Sequence, residues 1–279
     1  MIAITAPNLS EGWLQAFEKL LDVGGEAVNV AVSIEHPVVE HEAMRSSLDE
    51  FVTSCGSNNG QPLHAIRTVA NTIFPQAFYL PRLGDEARAH LYEMQRLASR
   101  VDRRRNRSGT YFDRLIDWRG PAGAVNQLDV AIDRIRAVRR RGHSVGNAFE
   151  LELDEGPATA FSLPVYSAGK DNRIMGFPCL SHISLSLFDD RVHMTALYRN
   201  HEWVRRAYGN YLGLAQLMSF IAVEAGTDVG ELLCVSSHAT AEVGHGRGFG
   251  RAALTDLATR CRGSLGNPSR LISVNGARR

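Results

Sequence analysis

Four side chains within Met175–Ala222 carry most of the reactive chemistry of this sequence. Cys179 follows Pro178, Arg199 lies 20 positions on, Glu202 comes next, and Asn210 stands 31 positions after the cysteine. A thiolate is a nucleophile, and neighbouring arginines lower the pKa of its thiol. A guanidinium is a planar fork that matches phosphate oxygens. A carboxamide donates and accepts at once, and so can pair with O4 and N3–H of uracil. The three together suit attack on a heterocycle, retention of its phosphate and reading of its edge. Each also has a plainer reading. A lone cysteine is often a small core residue, an arginine at a strand end can pair with an acid, and an asparagine can cap a helix.

The surrounding pattern predicts how these groups are carried. Ile183, Leu185 and Leu187 alternate with His182, Ser184 and Ser186; after Asp189–Asp190 the alternation resumes at Val192, Met194 and Ala196. That is a hairpin, polar on one face and apolar on the other. Leu212, Leu217 and Ile221, with Leu214 and Phe220, then take helical spacing. Cys179 would sit at the mouth of the first strand, Arg199 at the end of the second, Glu202 in the connection and Asn210 at the opening of a buried helix.

This stretch resembles thymidylate synthase and the related pyrimidine-nucleotide hydroxymethylases, in which a Pro-Cys nucleophile precedes a hairpin, an arginine ends its second strand and a base-reading Asn or Asp opens a helix. The close match covers about 60 residues, Phe177 to His238, and a looser one reaches back to about Leu63. The resemblance implies an α+β fold of the thymidylate-synthase type, with a large mixed β-sheet flanked by helices. It implies one domain over 1–279, with a divergent part at 1–120 and a catalytic core at about 121–262. It implies a homodimer in which paired arginines of a partner subunit grip the phosphate. Arg139, Arg140 and Arg141 fall in that place, and Arg140 and Arg141 are taken as substrate-binding. So are Arg199, Asn200, Asn210 and His238. Asn at 210 leans toward uracil, since Asp accompanies cytosine in the family. Glu202 stands where the family has a folate-contacting Asp; a shifted folate or a salt bridge with Arg205 or Arg206 would explain it. Trp118–Arg119 and Gln127–Leu128 fit a Trp-Arg pair and a Gln-Leu helix loosely, which makes Trp118 a cofactor-binding candidate.

Three departures bear on the reaction. The early helix HAIRTVANTIF holds no acid where the family has a proton-relaying glutamate. Asn71 is its best polar candidate, ahead of His64, Arg67, Thr68 and Thr72, yet an amide takes no proton at neutral pH. Thr240 stands where the family has a sugar-binding Tyr two residues after His238. The ending SVNGARR lacks the short apolar tail that closes over folate. The implied chemistry is C5 methyl or hydroxymethyl transfer from 5,10-methylenetetrahydrofolate to a pyrimidine nucleotide monophosphate through a Cys179–C6 adduct. The alternatives are an inactive nucleotide-binding homologue, and an unrelated enzyme or nucleic-acid binder.

Composition sets the bounds. The chain has 279 residues, 44% of them hydrophobic, and a formal net charge of +1, which favours neither nucleic acid nor membrane as the main partner. No apolar run approaches the ~20 residues of a membrane helix, and the N-terminus shows no secretory pattern. Cys55, Cys179, Cys234 and Cys261 are scattered without a CxxC pair, which argues against zinc and disulfides and for a reduced, cytoplasmic protein.

Along the chain, helices are predicted at 10–22 with Ser10 as cap, 40–52, 63–74, 85–104 and 125–138. Strands are predicted at 27–34, 147–153, 160–165 and 230–237. Residues 54–61 and 167–172 read as loops, and the chain after Ser264 as frayed. RRRNR (103–107) reads as a solvated basic cluster. GHGRGFGR (244–251) also resembles the pyrophosphate loop of the N-acetyltransferases, but only 28 residues follow Arg251, too few for the rest of that fold.

Overall fold

The computed structural model describes residues 1–55, 57–58, 61–101, 109–120, 123–140, 161–166, 178–244 and 248–272. In chain order the strands are β1 (Ile2–Asn8), β2 (Glu26–His36), β3 (Val39–Glu40), β4 (Ser57–Asn58), β5 (Gln61–Pro62), β6 (Trp118–Gly120), β7 (Gly123–Val125), β8 (Phe161–Pro164), β9 (Leu180–Phe188), β10 (Arg191–Tyr198), β11 (His201–Glu202), β12 (Asp228–Thr240) and β13 (Arg270–Leu271). The helices are α1 (Leu9–Asp22), α2 (Glu42–Cys55), α3 (Ile66–Asn71), α4 (Ala87–Val101), α5 (Tyr111–Ile116), α6 (Gln127–Arg140), α7 (Tyr208–Ala225) and α8 (Arg251–Ser264). Among the described residues one mixed sheet has seven strands, in the order β1-β2-β12-β10-β9-β8, with β11 beside β12. Strand β1 runs parallel to β2, β12 antiparallel to β2, and β8 antiparallel to β9. The chain divides into two compact units, Met1–Asn71 with Leu197–Ala215 and Glu231–Ile272, and Thr72–Ala196 with Gln216–Gly230.

In the first unit, α1 begins as its sequence requires but one cap earlier than expected. Asn8, not Ser10, is the cap: its Oδ1 accepts from the Glu11 N–H at 3.0 Å and its Nδ2 donates to Glu11 Oε1 at 2.7 Å. Ser10 lies inside the helix, fully buried, where its hydroxyl accepts from the His41 N–H and meets the Tyr208 hydroxyl at 2.8 Å. The Trp13, Phe17, Leu20 and Leu21 stripe faces inward, and Gly24 and Gly25 end the helix at φ 99° and 105°. Trp13 and Trp203 each donate an indole N–H to the other's backbone carbonyl at 3.0 Å, which fixes the segment leading into α7 against α1. Helix α3 packs so closely on the start of α7 that a Cβ on Gly209 would lie 2.6 Å from Val69 Cβ.

Other elements of this unit differ from the sequence expectation. The helix expected at 63–74 is only Ile66–Asn71, entered through an Ile66 N–H bond to Asp49 Oδ1. The helix expected at 40–52 runs Glu42–Cys55, and Glu40 belongs to β3. The chain after Ser264 is not simply frayed, because Arg270 and Leu271 pair antiparallel with Glu40 and Val39.

In the second unit, Asp189 and Asp190 both sit in the left-handed region, at φ 48° and 58°. This is the two-residue turn whose twist suits a tight hairpin. Val192, Met194 and Ala196 are buried, as are Ile183, Leu185 and Leu187, while His182, Ser184 and Ser186 stay half-buried. Phe74, Tyr79, Phe112 and Phe220 form an aromatic core, with Phe74–Phe220 and Tyr79–Phe220 centroids 5.2 and 5.0 Å apart. Thr110 and Asp113 form a reciprocal capping box on α5. The expected helices at 85–104 and 125–138 appear as α4 and α6, and part of the strand at 160–165 as β8. The expected strand at 147–153, the loop at 167–172 and the basic cluster at 103–107 lie outside the described residues.

Candidate functional site

Cys179 stands half-exposed one residue before β9, next to buried Pro178, in the second unit. Arg199, Asn200, Glu202, Asn210 and His238 all belong to the first unit. Arg199 is half-buried and directly follows Tyr198, the last residue of β10. The next residues make β11, which runs parallel to the end of β12 and pairs His201 with Ala239 and Glu202 with Thr240. This register brings the Arg199 segment alongside the His238 segment. Nδ1 of His238 donates to Asn200 Oδ1 at 2.8 Å, and its Nε2 lies 3.6 Å from Glu26 Oε2.

Asn210 does not open its helix. A π-helical turn, Trp203–Ala207, runs straight into α7, so Asn210 lies inside a continuous helical segment and its amide has no N-terminal N–H to cap. The plain capping reading fails for that reason. The side chain is instead buried, with Nδ2 3.0 Å from Nε2 of His201, whose Nδ1 lies 2.9 Å from the Ser236 hydroxyl. The His201 ring is stacked on Tyr198 at 4.1 Å and 8°, with Trp203 and Tyr211 at its edges. Burial holds the imidazole neutral, lowering its pKa to about 3. The sequence reading passed over His201 and Ser236. Only their positions, two residues after Arg199 and two before His238, could have flagged them.

Glu202 forms the salt bridge its sequence allowed, with Arg206 at 3.8 Å. Arg205 is taken by another acid, Glu242, whose carboxylate lies 3.2 Å from Arg205 Nε. Glu242 also accepts the Val204 and Arg205 backbone N–H groups at 2.8 and 3.1 Å, and so closes the start of the helical run from a distance. Its pKa is pushed up to about 7, first by burial and then by Glu202, against the pull of those donors. Glu242 too went unread in the sequence. It sits at φ 60°, held by its own N–H bond to the Thr240 hydroxyl at 2.9 Å together with its tertiary bonds.

The remaining candidates are dispersed. Asn71 is exposed at the last position of α3, and burial together with Arg206 lowers the pKa of nearby His64. Trp118 is half-buried in the β6–β7 ribbon of the second unit, opposite Val125. Arg140 is exposed at the last turn of α6. Arg141 lies outside the described residues. Arg139 is occupied within its own unit, gripping Asp190 at the hairpin turn through two bonds of 2.7 and 2.9 Å. Among the described residues no group of three His, Cys, Asp or Glu side chains could hold a metal ion, and no helix is long and apolar enough to cross a membrane.

No family model matches the chain. It is similar to proteins that bear the name "Putative thymidylate synthase". The one from Methanothermobacter marburgensis is 23% identical over 238 residues, 84% of this chain and 91% of that protein. Those from Methanosarcina barkeri and Methanococcoides burtonii are 24% and 27% identical over 128 and 135 residues, 46% of this chain in each case. The chain spans about half the length of these last two relatives, 49% and 51%. A mixed sheet flanked by helices is compatible with a thymidylate-synthase-like fold.

Proposed function

We propose that the protein transfers a one-carbon unit from 5,10-methylenetetrahydrofolate to C5 of a pyrimidine nucleotide monophosphate. The observation that carries this reading is the buried Asn210 amide, held by His201 on the strand-and-helix segment that begins at Arg199. A neutral, desolvated amide on the same chain segment as a half-buried arginine suits a planar base attached to a phosphate. The distant similarity to proteins named for thymidylate synthesis points the same way.

In this reading the Cys179 thiolate adds to C6, and the ring electrons move to the C4 carbonyl as an enolate. Carbon C5 then attacks the one-carbon unit. Loss of the C5 proton and elimination of the folate leave an exocyclic methylene with Cys179 still bonded to C6; addition of hydride or water to that methylene shifts the double bond to C5–C6 and releases the Cys179 thiolate. The folate supplies the one-carbon unit and, for a methyl product, the hydride; water in its place gives hydroxymethyl. Arg199 and Asn200, with Arg140 and Arg141 of a homodimer partner, hold the phosphate, and His238 faces the sugar. The Arg139–Asp190 clamp leaves Arg140 and Arg141 as the pair for that task. Glu202 and Trp118 are the folate contacts in this reading. Asn71 orients water at the pyrimidine carbonyl but transfers no proton. The whole chain acts as one catalytic domain in the cytoplasm.

A second reading, a nucleotide-binding homologue without activity, rests on the acid-free α3. Tritium release from 5-tritiated dUMP, UMP, dCMP and CMP with methylenetetrahydrofolate separates the two. Release from one of them that falls at least about 10³-fold in Cys179→Ala supports the enzyme. Nucleotide binding without release supports the second reading.

A further inference from the structure

Asn210 reaches the interior through one hydrogen bond, and that bond does not fix which way its amide points. An imidazole held neutral has one N–H and one lone pair, and they can exchange places between the two ring nitrogens. In one tautomer, Nδ1–H donates to the Ser236 hydroxyl and Nε2 accepts from Asn210 Nδ2. In the other, the Ser236 hydroxyl donates to Nδ1, and Nε2–H donates to the Asn210 carbonyl after the amide has turned over. The 2.9 and 3.0 Å separations satisfy both arrangements. Ser236 is buried and His201 is its hydrogen-bond partner among the described residues, so its hydroxyl is free to serve either role. The ring itself cannot turn instead. Tyr198 covers its face, and Trp203 and Tyr211 abut its edge.

The two amide orientations present opposite edges. Facing a pyrimidine in one fixed pose, an amide pairs with uracil by giving N–H to O4 and taking N3–H on its oxygen. Turned over, it pairs with cytosine by taking N4–H on its oxygen and giving N–H to N3. We propose that His201 and Ser236 form a two-state positioning relay that lets Asn210 accept both uracil and cytosine monophosphates. This rests on the reading of Asn210 as the group that faces the base. A locked amide would instead discriminate by about 5- to 150-fold, as a bidentate base contact does.

The experiment measures dissociation constants of dUMP, dCMP, UMP and CMP by calorimetry for the wild type, Ser236→Ala and Ser236→Thr. It also records the imidazole ¹⁵N shifts of His201 without nucleotide. The wild type should bind the uracil and cytosine members of each pair within about fivefold, because both amide states are fully bonded. Its His201 shifts should be averaged between tautomers. Ser236→Ala leaves Nδ1 without a partner, and a bare lone pair costs less there than an orphaned N–H. The ring should settle with its proton on Nε2, and the base preference should move at least about tenfold in one direction. Ser236→Thr restores the hydroxyl and should restore the ratio. A wild-type preference beyond fivefold overturns the relay. So does a single tautomer unchanged by Ser236→Ala, or an equal loss of affinity for both bases in that variant. Averaged shifts in a protein that binds none of the four nucleotides would instead leave the relay standing and overturn the base-reading role of Asn210.

Discussion

The first unit buries Glu40, His41, His201, Asn210, Ser236 and Glu242; the buried polar side chains of the second, among the described residues, are Gln95, Gln127, Gln216 and Ser219. The six of the first unit and the three glutamines of the second are hydrogen-bonded, but to different ends. In the second unit the amides brace backbone and side chains, as when Gln127 donates to the carbonyls of Arg114 and Pro164. Its charges meet near the surface, where Arg88 lies 3.3 Å from Asp129, 3.5 Å from Asp133 and 3.8 Å from Glu224. In the first unit ionisable groups are taken inside, where desolvation costs most and directional bonds are strongest. Among the described residues the buried carboxyl and imidazole groups thus lie in the first unit, and the buried polar side chains of the second are amides and one hydroxyl.

The comparison is broken most directly by emptying each core. Trp203→Ala removes a fully buried indole and with it the N–H that donates to the Trp13 backbone carbonyl, leaving that carbonyl without this partner. It should cost about 5 kcal/mol, against about 3–4 kcal/mol for Phe220→Ala in the purely aromatic core. Urea denaturation of both variants checks the order. A costlier Phe220→Ala would mean that the reciprocal tryptophan pair adds nothing beyond its volume.

Glu242 sharpens the contrast through pH. Its folded carboxyl titrates near 7 while a free glutamate titrates near 4.5. Below 4.5 both states are protonated and burial carries no ionisation penalty. Between 4.5 and 7 the unfolded chain gives up its proton first, so stability falls as pH rises, and it levels off above 7. Glu242→Gln should remove this slope, leaving the variant similar to the wild type at pH 4.5 and more stable by about 2–3 kcal/mol at pH 8. Unfolding free energies at both pH values decide it. A wild type that gains on the variant as pH rises would mean that Arg205 and the two backbone donors outweigh burial.

The two units were not equally readable in the sequence. Where a side chain's role follows from period and turn chemistry, the reading holds: the hairpin through Asp189–Asp190, the apolar α7 and the α1 stripe all form as their spacing predicts. What escaped depends on contacts distant in sequence. His201 is 35 positions from Ser236, and Glu242 caps a segment 37 and 38 positions away. A run of helical spacing also does not reveal that a π-turn precedes α7, which is why Asn210 was expected at a helix start. Ser10 reads as a cap in the sequence because nothing local shows that Tyr208 and His41 claim its hydroxyl. The α3 helix ends early although Ile73 and Phe74 continue its apolar pattern; these two are buried in the second unit, beyond its last turn.

The smallest expected effect tests whether the hairpin is scaffold alone. Asp189 is held at φ 48°, a conformation that an aspartate tolerates and a glycine adopts without cost to its Cβ. Asp190 must stay, because both its oxygens receive Arg139. Asp189→Gly exchanges that strain for greater freedom in the unfolded chain, so the net gain should be no more than about 0.5 kcal/mol, a rise of about 1–2 °C in Tm. If the second unit merely presents Cys179, tritium release should keep its wild-type rate in this variant. A fall in rate with Tm preserved would show that the turn takes part in positioning the thiol, and the division between a polar, specific unit and a passive one would have to be redrawn at β9.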